Sequence, residues 1–311
     1  MIDARRARPL QVGLILYTRE GRMGGATPRW SDVRVLAQHA EQAGFDSIWL
    51  VDHFITLNPL DAHPHGFWEC WSVLAALAAA TSRVELGTVV LGGGFRNPAL
   101  LAKMADTVDE ISDGRLILGL GAGYHDLEYT QFGYPTDHKI ARFEEAIQII
   151  HGLLRNGQVD FEGTYWSARE CELRPRGPRP QGPPILIGST APRMLRTVTR
   201  YAELWNSYFT DTNNRASGVA ALRVRVDAAC LAAGRDPATL QRSVSVMVSY
   251  PHGVNASPWE TPALTGTPED IAEELRAYAR EGIDHLQVSL EPMVPASIAS
   301  FQRALELLDK G

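Results

Sequence analysis

Asp52 and His53 close an apolar run that begins at Ser47. A neutral imidazole accepts a proton near neutral pH, and a neighbouring carboxylate can orient it. The pair therefore suits general acid–base work. The plainer reading is that both side chains satisfy loop backbone. Gly188-Ser189-Thr190 stands before a helical pattern with Pro192 in its first turn. Free N–H groups and the positive end of a helix dipole suit a phosphate there, and the hydroxyls add donors. Ordinary N-capping by Thr190 is the competing reading. Two glycine clusters, Gly92-Gly93-Gly94 and Gly119-Leu120-Gly121-Ala122-Gly123, each end an apolar run. Such loops let backbone pass close to a flat ring, or simply make a tight turn. His63 and His65 form an H-P-H loop with no third ligand nearby, so no metal is expected.

These groups need strands to carry them. Apolar runs at 11–17, 47–52, 84–91, 116–120, 184–188, 203–209, 243–250 and 285–290 read as eight strands. Helical spacing follows each, at 31–43, 67–80, from Pro98, 141–154, from Pro192, 216–233, 267–282 and 296–308. Strict alternation requires a parallel sheet, and eight units of it predict a closed (β/α)8 barrel with its site at the carboxyl ends of the strands. A doubly wound open sheet would carry its glycine turn after the first strand. Here the glycine loops follow the third and fourth. In a G-x-G-x-x-G loop the third glycine would fall at 124, which is Tyr124, so a nicotinamide site is rejected. Trp68 and Trp71 are expected in the core of the second helix, and Asp113-Gly114-Arg115 reads as a structural turn. The charged, Pro- and aromatic-rich text around 157–182 reads as an insertion after the fourth strand, with FEGTYW as half of a surface hairpin. That insertion and the loop from His53 to Gly66 are expected to form a lid.

Composition narrows the partners. The chain has 311 residues, 45% of them hydrophobic, which fits one barrel domain over 1–311. Net charge is −6 without a run of Lys or Arg, so nucleic acid and anionic membrane are poor partners. Cys70, Cys171 and Cys230 lie far apart, which argues against a disulfide framework or structural zinc and fits a reducing cytoplasm. The apolar run from Val12, after Arg5, Arg6 and Arg8, is too short for a signal peptide or a membrane span.

The chain resembles the bacterial luciferase-like superfamily, and within it the group that uses the deazaflavin coenzyme F420. The carrying stretches are SIWLVDHF (47–54), LGTVV (86–90), FRNPALLAK (95–103), SDGRLILGLGAGYHDLEY (112–129), RFEEA (142–146) and PPILIGSTAPRMLR (183–196). The resemblance implies a barrel with an insertion after strand four. It implies that His53 is the active-site histidine, that Val89–Val90 is a non-prolyl cis peptide behind the ring, and that Gly121 and Gly123 lie beside the ring system. It gives Gly188, Ser189 and Thr190 as the phosphate cradle. One branch, the F420-dependent sugar-phosphate dehydrogenases, has a proton-donating glutamate where Tyr124 stands. Tyr124 then either donates a proton or walls the pocket, and Glu128 is the nearest carboxylate. The implied activity is hydride transfer between F420 and a small organic substrate, with His53 as acid or base, Asp52 as its orienter and Tyr124 as a secondary proton handler. The alternative is a monooxygenase using reduced FMN, supplied by a partner reductase. A third reading is a barrel that binds a flavin-like ligand without turnover. The family also implies a homodimer.

Overall fold

A computed structural model describes residues 8–23, 25–57, 63–250 and 261–310. Arg5, Arg6 and the middle of the 53–66 loop lie outside these residues. Among the described residues, eight parallel strands close on themselves: β1 (Gln11–Leu16), β2 (Ser47–Leu50), β3 (Glu85–Thr88), β4 (Leu116–Gly121), β5 (Ile185–Gly188), β6 (Leu204–Ser207), β7 (Gln241–Ser249) and β8 (His285–Glu291). The register runs from Gly13↔Ser47 through Ser47↔Glu85, Leu86↔Leu116, Ile185↔Leu118, Leu186↔Leu204, Leu204↔Gln241 and Ser243↔His285 to Gln11↔His285, which completes the ring. The predicted (β/α)8 barrel is therefore the fold. A two-residue strand, Leu91–Gly92, extends the third strand's line and pairs with β4.

Helices follow each strand: α1 (Trp30–Ala43), α2 (Cys70–Ala80), α3 (Pro98–Ile111), α4 (Lys139–Asn156), α5 (Pro192–Tyr201), α6 (Val219–Ala232), α7 (Pro268–Arg280) and α8 (Pro295–Leu308). Their starts follow from local chemistry. Asn97 accepts the N–H groups of Ala99 and Leu100, with Pro98 at the first helical position. Thr267 and Asp270 form a capping box. The second helix begins at Cys70 and not at 67, because the Glu69 carboxylate accepts the N–H groups of Trp71 and Ser72. That leaves Trp68 outside the helix. Its ring is 53% exposed and donates Nε1–H to the Pro28 carbonyl at 2.7 Å, so only Trp71 joins the core.

The main core lies between the barrel and its helices. A smaller one, Ile15, Trp49, Ile117, Leu186 and Leu204, fills the barrel interior. Trp49 dictates two glycines. A Cβ at Gly13 would lie 2.4 Å from its Nε1, and one at Gly87 would lie 2.3 Å from its ring. Trp49 Nε1–H donates to Ser47 Oγ, which also contacts His285 Nε2 at 2.7 Å. Burial pushes the His285 imidazole down to about 3, so it sits neutral in the barrel floor.

The insertion is an antiparallel hairpin, Gln158–Glu162 with Ser167–Glu172. It is not a lid. Glu145 of α4 accepts the N–H groups of Thr164, Tyr165 and Trp166, and Trp166 Nε1–H donates to the Arg142 carbonyl. The hairpin is thereby fastened to the barrel's flank, and none of its residues reaches the cavity described below. The loop after β2 does reach it, and contains a short antiparallel pair, Ile55–Leu57 with Pro64–Gly66.

Candidate active site

A cavity of about 1280 Å³ opens at the carboxyl ends of the strands. Asp52, His53, Val89, Val90, Gly121, Gly123, Tyr124, Gly188, Ser189 and Thr190 all line it. Strand ends β2 to β5 deliver these ten residues to one place, as a barrel's carboxyl face does.

His53 has a carboxylate partner, but it is not Asp52. His53 Nδ1 lies 2.9 Å from Glu128 Oε2. Glu128 sits on a short helix after β4, Asp126–Gln131, with its side chain buried. Its other oxygen accepts the N–H groups of Phe54 and Ile55. Burial opposes the charge on Glu128. The hydrogen bond and charge of His53 and those two backbone donors outweigh it and hold the carboxyl below the usual carboxylate range. An ionised carboxylate only accepts, so Nδ1 carries a proton and donates it. The neutral ring is therefore fixed as the Nδ1–H tautomer, which leaves Nε2 as the acceptor. His125 Nδ1 stands 3.7 Å from the same Glu128 oxygen.

The expected role of Asp52 as orienter is corrected. Its buried carboxylate takes a fork of two bonds from Arg96, at 2.7 and 3.0 Å, and the Gly92 N–H at 3.0 Å. Arg96 also reaches Glu69. Charge-assisted, bidentate bonds of this kind commit both partners. Asp52 thus ties the β2 end to the glycine loop after β3. Tyr124 stands at the cavity, 72% exposed, with its ring edge-on to His53 at 5.8 Å between centroids.

Behind these groups lies an apolar slot. The Val89–Val90 peptide is cis. Val51, Val89 and Val90 pack on the barrel's inner cluster. Val90 sits between two glycines: a Cβ on Gly121 would fall 2.6 Å from its Cγ2, and one on Gly188 would fall 3.2 Å from its Cγ1. Gly123 has a different reason. Its φ of +78° and the Tyr129 hydroxyl, 2.0 Å from an added Cβ, both demand glycine.

The segment after β5 shows which reading of Gly188–Thr190 its geometry supports. Thr190 does not cap the helix. The N-cap of α5 is Ala191, with no side-chain cap bond, and Pro192 occupies the first helical position. Ser189 N–H donates to the Asn206 carbonyl, and Ser189 Oγ accepts the Ala191 N–H. The uncapped first turn of α5 begins on the cavity wall, where Ala191 and Met194 are also lining residues. Two donors of this segment are already bonded, the Ser189 and Ala191 N–H groups, and Pro192 has none, so an anion here would meet the Thr190 N–H and hydroxyl and the later N–H groups of the first turn.

Sequence reasoning missed the pairings rather than the positions. Arg96 lies in FRNPALLAK and Glu128 in the stretch after β4. Their partners lie 44 and 75 residues away. Across the cavity, Arg22 after β1 pairs with Glu291 at the end of β8 and stacks over Tyr17. Among the described residues no group of three His, Cys, Asp or Glu is arranged to hold a metal, and no helix is long and apolar enough to cross a membrane.

Fold and cavity together define a (β/α)8 barrel with a large cavity on its carboxyl face. A family model described as luciferase-like monooxygenase matches residues 10–257, and the chain belongs to that family. An F420-dependent glucose-6-phosphate dehydrogenase of Kineococcus radiotolerans is 32% identical over 226 residues, which is 69% of this chain and 62% of that protein. A 5,10-methylenetetrahydromethanopterin reductase of Archaeoglobus fulgidus is 29% identical over 175 residues, 56% of this chain and 48% of that protein. The chain spans less than two thirds of the length of either relative. The solved structure of an F420-dependent secondary alcohol dehydrogenase in complex with an F420–acetone adduct shares the fold, with a TM-score of 0.80 at 18% identity. The match covers 96% of this chain and 99% of that one.

Proposed function

We propose that the protein is an oxidoreductase that moves a hydride between coenzyme F420 and a small organic substrate. The observation that carries the reading is the His53–Glu128 pair beside an apolar slot and an uncapped helix start, all in one cavity. The relative named as an F420-dependent glucose-6-phosphate dehydrogenase supports the choice of cofactor.

The residues fit a flat ring with a phosphate-bearing side chain. Gly188, Ser189, Thr190 and the first turn of α5 would border the phosphate, with the Thr190 N–H and hydroxyl and the N–H groups of Arg193 and Met194 as its donors, since the Ser189 and Ala191 N–H groups are already bonded. Val51, Val89 and Val90 would back the ring with apolar surface. When bound, the deazaflavin supplies the hydride chemistry at its C5. His53 Nε2 takes a proton from a substrate hydroxyl, or returns it to a carbonyl oxygen in the reverse direction. Glu128 holds the tautomer that leaves Nε2 able to accept and stabilises the imidazolium that follows. Asp52 and Arg96 keep the glycine loop after β3 in place. Tyr124 and Phe67 line the approach to His53, each with its ring against the imidazole.

A second reading is an FMN-dependent monooxygenase served by a reductase, of which the family's description supports the monooxygenase chemistry. Two assays separate the readings. Under the first, reduced F420 is oxidised anaerobically by a panel of aldehydes and ketones, or oxidised F420 is reduced by alcohols. Substrate-dependent oxygen uptake with reduced FMN, without any anaerobic F420 turnover, would replace it with the second.

A further inference from the structure

Strands β6 and β7 meet the cavity with a different chemistry from the His53 side. Asn214, after β6, is fully buried with a left-handed φ of +52°. Its amide nitrogen donates to the carbonyls of Met247 and Pro262, at 2.9 and 3.0 Å, and its Oδ1 accepts the Met247 N–H at 2.9 Å. One side chain thus clamps the β6 loop to β7 and to the segment from 261 to 265. That segment runs beside the end of β7, with Leu264 N–H on the Met247 carbonyl and Ser249 N–H on the Leu264 carbonyl, both at 2.8 Å.

The clamp fixes the next residue, Arg215. Its guanidinium gives one bond to the Asn214 carbonyl, at 2.9 Å, and lines the cavity half-buried. Ser249, Thr261 and Thr265 line the same wall and carry hydroxyls. No carboxylate among the described residues forms an ion pair with Arg215. The other charges of the cavity are engaged: Asp52 by Arg96, Glu128 by His53, Glu291 by Arg22. Arg19 has contacts of its own. Asp211 spends Oδ2 on the Tyr208 N–H and is exposed. A half-buried guanidinium that no carboxylate among the described residues pairs with favours an incoming anion, and its planar fork matches carboxylate or phosphate.

We infer that Arg215, held by the Asn214 clamp, is an anion-reading subsite that takes a carboxylate or phosphate of the ligand filling this half of the cavity. The inference rests on the reading of the cavity as the cofactor and substrate site. Two sources share that chemistry: the acidic glutamate tail of the deazaflavin, and an acidic group on the substrate.

The test uses Arg215→Met and Arg215→Gln, with Arg215→Lys as the charge-keeping control. F420 with its glutamates and the glutamate-free form that keeps the phosphate are titrated by fluorescence. Inorganic phosphate is then titrated onto the F420-loaded protein. If the anion is the cofactor tail, R215M and R215Q weaken glutamylated F420 by about 10–100-fold, and spare the glutamate-free form. If it belongs to the substrate, both F420 forms bind unchanged, while the affinity for phosphate falls by about the same factor. R215K keeps the charge and loses the fork, so its affinities fall between those of the wild type and the neutral variants. Unchanged F420 and phosphate affinities in both neutral variants would overturn the inference. If the wild type bound no F420, the proposed function would fall instead. Phosphate titrated onto the ligand-free protein then decides this inference alone, by whether R215M and R215Q lose it.

Discussion

Glu128→Gln removes a charge and almost no volume, so it isolates what the carboxylate does for His53. The buried carboxylate accepts from His53 Nδ1 at 2.9 Å and from the N–H groups of Phe54 and Ile55. A glutamine keeps one acceptor oxygen and turns an NH₂ towards the remaining partners. If the oxygen stays on the two backbone donors, the NH₂ faces Nδ1 and reverses the tautomer, which protonates Nε2 and blocks it as an acceptor. Hydrogen bonds to charged groups contribute about 1.5–3 kcal/mol and neutral ones about 0.5–1.5, so roughly 1–2 kcal/mol is lost. On the proton-transfer step that corresponds to about 5–30-fold. Turnover should fall by that factor or more, with KM for the substrate within about 3-fold, since nothing in the cavity changes shape. The sign of the stability effect is also set. A carboxyl held below its ordinary value in the fold stabilises the fold above its unfolded pKa, and that contribution fades as pH falls through the lowered folded value. The stability gap between wild type and E128Q, from denaturant titrations, should therefore be open at pH 7 and narrow under acid conditions. An E128Q enzyme with wild-type turnover, or a gap that widens in acid, would refute the assignment.

His53→Ala should lower turnover at least ~100-fold while leaving F420 affinity nearly intact, because the cradle lies on a different strand; a stopped assay and a titration check both halves. Asp52→Ala should act on stability, since Arg96 keeps only Glu69; a loss of about 3 kcal/mol in urea denaturation is expected, and a variant as stable as wild type would remove the tie between β2 and the loop after β3. Gly121→Ala should destabilise by about 1–3 kcal/mol and more than Gly188→Ala, since the added carbons would lie 2.6 and 3.2 Å from Val90; the reverse order of melting temperatures would contradict the packing described around Val90.

The barrel was legible because its signals are local. Apolar runs, helical spacing and glycine stops lie within a few residues of one another, and eight repeats of that order leave few alternatives. The location of the cavity followed from the same order, since Asp52-His53, Gly121–Gly123 and Gly188–Thr190 all end strands. Pairing was not legible. Asp52 and His53 adjoin in the chain, yet along the strand end they point apart, one to Arg96 and one to Glu128. Nothing in the spacing of residues 44 or 75 apart reports such a contact. The hairpin of the insertion failed as a lid for a related reason. Its polar, aromatic composition suits any exposed surface, and Glu145, on another element, decides where it docks. Trp68 left the helix because Glu69 caps it one residue later, a choice between neighbouring caps that periodicity does not resolve.

Under the proposed function this cavity holds F420 through the start of α5 and the slot around Val89–Val90. The direct measurement is a parallel fluorescence titration of the purified protein with F420 and with FMN, in oxidised and reduced forms. Saturable F420 binding at about one per chain is expected, with markedly weaker binding of FMN in either form. Tight binding of reduced FMN with no response to F420 would contradict it, and binding of neither would return Gly188–Thr190 to an ordinary helix start.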